Sequence, residues 1–149
     1  MSLDVDVATD GVRLPLALDR VAAVARGVLR AEGVRDARLS IAFVSSRVIA
    51  RMNRKHLGHA GPTDVISFPL PSRAEGEPLA GDVYIAPEVA RANAHAHAVP
   101  VREELARLVV HGTLHVLGHD HPENGGRMAS PMWRRQERLL ATLAPEWRP

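Results

Sequence analysis

The residues of this chain best suited to chemistry lie in one run, Val109-Val110-His111-Gly112-Thr113-Leu114-His115-Val116-Leu117-Gly118-His119-Asp120-His121. On an α-helix His111 and His115 stand four residues apart, roughly 40° around the axis, so their rings leave one face a turn apart. Gly118 then follows the last helical turn, where a left-handed residue ends a helix, and the chain can fold back to bring His121 to the same point. Three neutral imidazoles suit zinc, and a catalytic zinc typically keeps three protein ligands and one exchangeable water. Such a bound water is available as hydroxide near neutral pH. The spacing H-x-x-x-H-x-x-G-x-x-H is also that of the metzincin proteases, with one change: Gly112 stands where a protease has its general-base glutamate.

The rest of the composition agrees with a metal site built from imidazole. There are eight histidines and no cysteine, which excludes disulfides and thiolate ligands. Of 149 residues, 46% are hydrophobic and 24% charged, the balance of a folded globular domain. A single domain over residues 1–149 is expected. No apolar run is long enough to span a bilayer and the first residues carry no basic segment followed by an apolar one, so the expected location is the cytoplasm. The net charge is only +2, but every basic residue except Lys55 is arginine, whose fork matches phosphate.

These residues must be positioned by elements that the hydrophobic spacing outlines. Leu3, Val5 and Val7 alternate with Asp4 and Asp6 as a half-exposed strand at or near a sheet edge, and Pro15 opens an amphipathic helix that Gly33 stops. Leu39, Ile41 and Phe43 mark a second strand; Ser45 or Ser46 caps a helix running to Gly58, whose basic end Arg51 to His56 suits the helix dipole or a phosphate. Val65-Ile66-Ser67-Phe68 reads as an interior strand closed by Pro69, and a hairpin through 71–78 returns into Gly81 to Ile85. Asp64 and Asp82 are expected at the mouths of these strands, as turn formers or as partners that orient a ligand histidine. Pro87 starts a helix on which His95 and His97 point to different sides. Pro100 opens the metal helix, apolar on two sides and therefore central and buried. Met132, Trp133, Leu139, Leu140 and Leu143 form a last packing helix, and Met128 or Met132 is a core residue or lies beneath the metal. The pattern predicts an α+β domain, a mixed sheet of about four strands packed with about five helices, with the metal site at the end of a buried central helix.

The run His111 to His121 resembles the signature of the YbeY family of bacterial rRNA-maturation endoribonucleases. Pro62-Thr63-Asp64-Val65-Ile66-Ser67-Phe68-Pro69 and Gly81-Asp82-Val83-Tyr84-Ile85 resemble that family's two other blocks, in the same order. The resemblance implies His111, His115 and His121 as ligands of one zinc ion, single-stranded RNA as substrate, and the 3′ end of small-subunit rRNA and the small ribosomal subunit as partners. It also implies a phosphate-binding arginine in the segment before Pro-Thr-Asp, directly before a glycine, a position held here by Leu57 ahead of Gly58. Arg54, Lys55, His56 and His59 are the candidates to replace it, with Arg54 first. Three functions remain: a metal-dependent endoribonuclease, a zinc hydrolase of another substrate, and a ribosome-assembly factor whose zinc is structural.

Overall fold

The structure, a computed structural model, describes residues 1–71, 75–122 and 126–149. Its elements are β1 (Leu3–Thr9), α1 (Leu18–Ala31), β2 (Ala37–Phe43), α2 (Ser46–Met52, prolonged by one π-helical turn Asn53–Leu57), β3 (Val65–Leu70), β4 (Leu79–Ile85), α3 (Pro87–His97), α4 (Val101–Val116), a 3-10 turn (Arg127–Ala129), α5 (Pro131–Thr142) and the single-turn α6 (Ala144–Trp147). The four strands form one mixed sheet in the order β1-β2-β4-β3, with β1–β2 and β2–β4 parallel and β3–β4 antiparallel. The α+β expectation holds, as do the four strands and the buried helix that ends at the histidines.

Alternation along the strands divides the core in two. Leu39, Ile41 and Phe43 of β2 and Val83 and Ile85 of β4 face one side, where they meet the apolar stripes of α1, α4 and α5. Ile66 of β3 faces the other side, with Val44, Ile49 and Ala86. α4 is the centre of the larger layer. Leu105, Val109, Val110 and Leu114 are completely buried, each contributing about 1.5–3 kcal/mol by leaving water.

Two glycines set how closely α4 lies on the sheet. A Cβ at Gly112 would stand 2.5 Å from Val83 Cγ1, and one at Gly81 would stand 2.5 Å from Val116 Cγ1. Ser67 Oγ donates to the Gly112 carbonyl at 3.2 Å, completing the contact between α4 and β3. The glycine that replaces the protease glutamate is thus required for packing.

Three expectations are corrected. β3 is an edge strand, not an interior one. Its residues are apolar because both faces are covered: Ser67 lies under α4, while Phe68 packs edge-on against His56 and Tyr84, with centroids 5.3 and 5.9 Å away. An edge also tolerates Pro69, which has no N–H to donate. Asp82 is in the middle of β4 opposite Phe68, where its Oδ1 accepts from Ser40 Oγ at 2.7 Å. Finally, α1 begins at Leu18 behind an extended Ala17, because Leu16, only 2% exposed, first enters the core.

Candidate metal centre

The last two turns of α4 carry His111 and His115, and the way this helix ends supplies His121. Gly118 is left-handed at φ 98°; its N–H bonds the His115 carbonyl and the His119 N–H bonds the Leu114 carbonyl, both at 3.0 Å. This pair of bonds is a Schellman ending, which reverses the chain within two residues. Asp120 Oδ1 then accepts from the His121 N–H at 2.8 Å. The three rings come together with centroids 4.6 Å (His111 to His115), 4.9 Å (His115 to His121) and 5.1 Å (His111 to His121) apart. One ligand atom from each lies within 4.8 Å of the others, and this is the one such cluster found among the described residues.

The hydrogen bonds decide which nitrogen each ring offers. His115 Nδ1 faces the His119 carbonyl at 2.9 Å, and His121 Nδ1 faces the Pro122 carbonyl at 2.9 Å. A carbonyl only accepts, so both Nδ1 atoms carry a proton, which in the neutral tautomer leaves Nε2 as the ligand atom. His111 Nδ1 meets Gln136 Oε1 at 2.6 Å. The Gln136 amide is itself oriented, because its Nε2 donates to Glu137 Oε2 at 3.0 Å. Glu137 is clamped in turn by Arg107, at 2.9 and 3.1 Å, and Arg107 also holds Glu103 and Glu104. Three imidazoles held through Nδ1, each with a ligand atom within 4.8 Å of the others, fit a divalent cation that prefers nitrogen.

Electrostatics favour the same state. Burial pushes His111 down to about 3, against the Gln136 hydrogen bond, with the charges of His115, Arg127 and His121 adding to the depression. Burial followed by the charge of His121 lowers His115. Both rings are therefore neutral at physiological pH and ready to act as ligands.

The rings form part of the wall of a cavity of about 740 Å³, which is also lined by Leu57, His59, Asp64, Ser67, Asp120 and Arg127. His119, which also lines this cavity, anchors the turn: its Nε2 lies 2.5 Å from Glu32 Oε1, while Arg135 binds the other oxygen of Glu32 at 2.7 Å. This ties the turn to the end of α1 and to α5.

Of the residues singled out in the sequence, His111, His115 and His121 are brought together. Arg54 is exposed on the π-helical turn and is not among the residues lining the cavity, nor are Lys55 and His56, whereas His59 and the half-exposed Leu57 are. Asp64 Oδ2 accepts from Asn93 Nδ2 at 3.1 Å, so this oxygen is engaged with α3. Met132 is a core residue and Met128 is exposed. Sequence reasoning missed Gln136, Glu32 and Arg127. Gln136 did leave a signal, since it is a polar residue in the buried stripe Met132, Leu139, Leu140 of α5.

The fold and the site define a class, an α+β domain with a cleft in which three histidines can hold one metal ion. A model of the family described as Endoribonuclease YbeY matches residues 12–144, and the chain belongs to this YbeY family. An Endoribonuclease YbeY of Syntrophus aciditrophicus is 30% identical, covering 96% of this chain and 91% of its own. That of Pelotomaculum thermopropionicum is 39% identical over 80% of this chain and 81% of its own. The solution structure of TM1509 from Thermotoga maritima has the same fold, with a TM-score of 0.64 at 24% identity over 97% of this chain and 91% of that one. Among the described residues no helix is long and apolar enough to cross a membrane.

Proposed function

We propose that residues 1–149 act as one metal-dependent endoribonuclease domain that cuts single-stranded RNA, with one zinc ion held by His111, His115 and His121. The observation that carries this reading is the convergence of three imidazoles whose Nδ1 atoms all face oxygen acceptors, at a cleft in a chain of the YbeY family. When bound, the ion supplies Lewis acidity toward a phosphoryl oxygen and lowers the pKa of a water.

The protein's own part is positional. Gln136, the His119 carbonyl and the Pro122 carbonyl hold the rings so that their lone pairs share one point. The cavity admits a strand whose bases are unpaired, and Arg54 on the neighbouring turn contributes a phosphate contact outside it. The family's name and the resemblance of the three sequence blocks extend the reading to 3′-end maturation of small-subunit rRNA, with the small ribosomal subunit as partner, in the cytoplasm.

The test compares a labelled single-stranded RNA with its duplex, using protein as purified, stripped by chelator, and reloaded with zinc. Internal cleavage of the single strand that disappears on stripping and returns with zinc is expected. Cleavage that survives complete metal removal overturns the reading. A specific departure, Leu57 in place of the family's arginine, favours one second reading, an assembly factor whose zinc is structural; full zinc occupancy without cleavage of any RNA supports it.

A further inference from the structure

We infer that Arg127 is the phosphate-binding cation of the histidine cleft, supplying from the turn before α5 the charge that Leu57 does not. The inference rests on the metal-site reading above but not on RNA being the substrate. Among the described residues lining the cavity that holds the three histidines, Arg127 is the one arginine or lysine. Its Nε is buried and has no hydrogen-bond partner among the described residues. Nearby arginines are saturated by contrast: Arg107 binds Glu103, Glu104 and Glu137, and Arg135 binds Glu32. A buried donor without a partner is unfavourable, and such groups in a folded protein call for a ligand.

The placement specifies the ligand. Arg127 and the three histidines line one cavity, so a dication on those rings and the guanidinium would repel one another unless an anion lay between them. A tetrahedral oxyanion would serve best, because two of its oxygens match the guanidinium fork while another is left to face the ion that the histidines would hold. The backbone that presents Arg127 is fixed. Gly126, left-handed at φ 98°, starts the 3-10 turn, and the Arg127 carbonyl accepts from Ser130 Oγ at 2.6 Å. Ser130 in turn caps α5, accepting from the Trp133 N–H at 3.2 Å. The cation and Gln136, which orients His111, are therefore carried by one rigid unit. Arg127 and His111 also line a second cavity, of about 610 Å³, beside Trp133 and Asn93. A phosphate held by Arg127 lies where the two cavities meet, which allows the strand to continue from one into the other.

Inorganic phosphate is the probe, titrated into the full-length protein loaded with cobalt in place of zinc and followed by the visible absorption of the ion. The proteins compared are wild type, Arg127→Ala and Arg127→Lys, each with its cobalt affinity measured separately. Wild type is expected to bind phosphate, Arg127→Ala to bind it about tenfold or more weakly, and Arg127→Lys to fall between, since lysine keeps the charge and loses the fork. Unchanged cobalt affinity in both variants separates anion binding from damage to the metal site. Phosphate affinity equal in Arg127→Ala and wild type overturns the inference, as does a wild type that binds no phosphate. A protein that binds phosphate through Arg127 but cleaves no RNA confirms the anion site while overturning the ribonuclease reading.

Discussion

Gln136 Oε1 lies 2.6 Å from His111 Nδ1, across the interface between α5 and α4, and it is the only side chain among the described residues to hydrogen-bond one of the three candidate ligand rings. The other two rings are oriented by backbone carbonyls, which mutation cannot remove. Replacing Gln136 with leucine leaves the His111 Nδ1–H without an acceptor in a buried position. Gln136→Leu is expected to weaken metal binding by about 10- to 100-fold, measured by chelator competition. Affinity equal to wild type would show that His111 is held by packing alone.

The contact of Gly112 with Val83 makes a second prediction. A Cβ placed 2.5 Å from Val83 Cγ1 forces α4 away from β4 or Val83 out of its rotamer. Gly112→Ala should destabilise the protein by about 1–3 kcal/mol, roughly 2–12 °C in Tm. Adding Val83→Ala should recover part of that loss, because the two sites share one contact. Strictly additive effects would contradict the packing role given to Gly112.

A third prediction concerns acid. Folded His111 titrates at about 3, against 6.5 for an unperturbed histidine. The unfolded chain therefore binds a proton below 6.5 that the folded chain refuses until about 3, and stability falls as pH drops through that window. Glu32 acts in the same sense: burial raises it, but hydrogen bonds from Arg135 and His119 outweigh burial and leave it lowered, so its contribution is lost in acid. The Tm of metal-free protein should be level above pH 7 and decline below 6.5. Replacing His111 with asparagine should flatten the upper part of the decline, whereas an unaltered profile would assign it to other groups.

Arg54 supports a fourth. As an exposed cation near the cleft it should add one phosphate contact. Arg54→Ala is expected to weaken binding of a single-stranded RNA and to make the slope of log K against log salt shallower by about 0.7. An unchanged slope would remove Arg54 from the RNA path.

The sequence carried the ligand set because a helix, a left-handed glycine and a short return fix where three histidines go without help from distant residues. His111 and His115 need only helical spacing, and His121 needs only the Schellman turn at Gly118. What sequence could not show depends on residues far apart in the chain. Gln136 reaches His111 across 25 positions and Arg135 reaches Glu32 across 103. The edge position of β3 is hidden for a related reason: an apolar run reports that both faces are covered, as α4 and Phe68 with its neighbours cover them here, and says nothing of whether both edges are paired. The role of Gly112 was legible only in part, since a missing glutamate is visible in sequence but the Val83 methyl group that requires a glycine is not.

The central claim is that the three histidines hold the ion on which RNA cleavage depends. The most direct test is elemental analysis of wild type and His111→Ala, purified identically, paired with cleavage of one single-stranded RNA by the same two samples. The account predicts about one zinc per wild-type chain, with most of the zinc and the cleavage lost together in the variant. A His111→Ala protein that keeps its zinc, or cuts RNA at the wild-type rate, would contradict it.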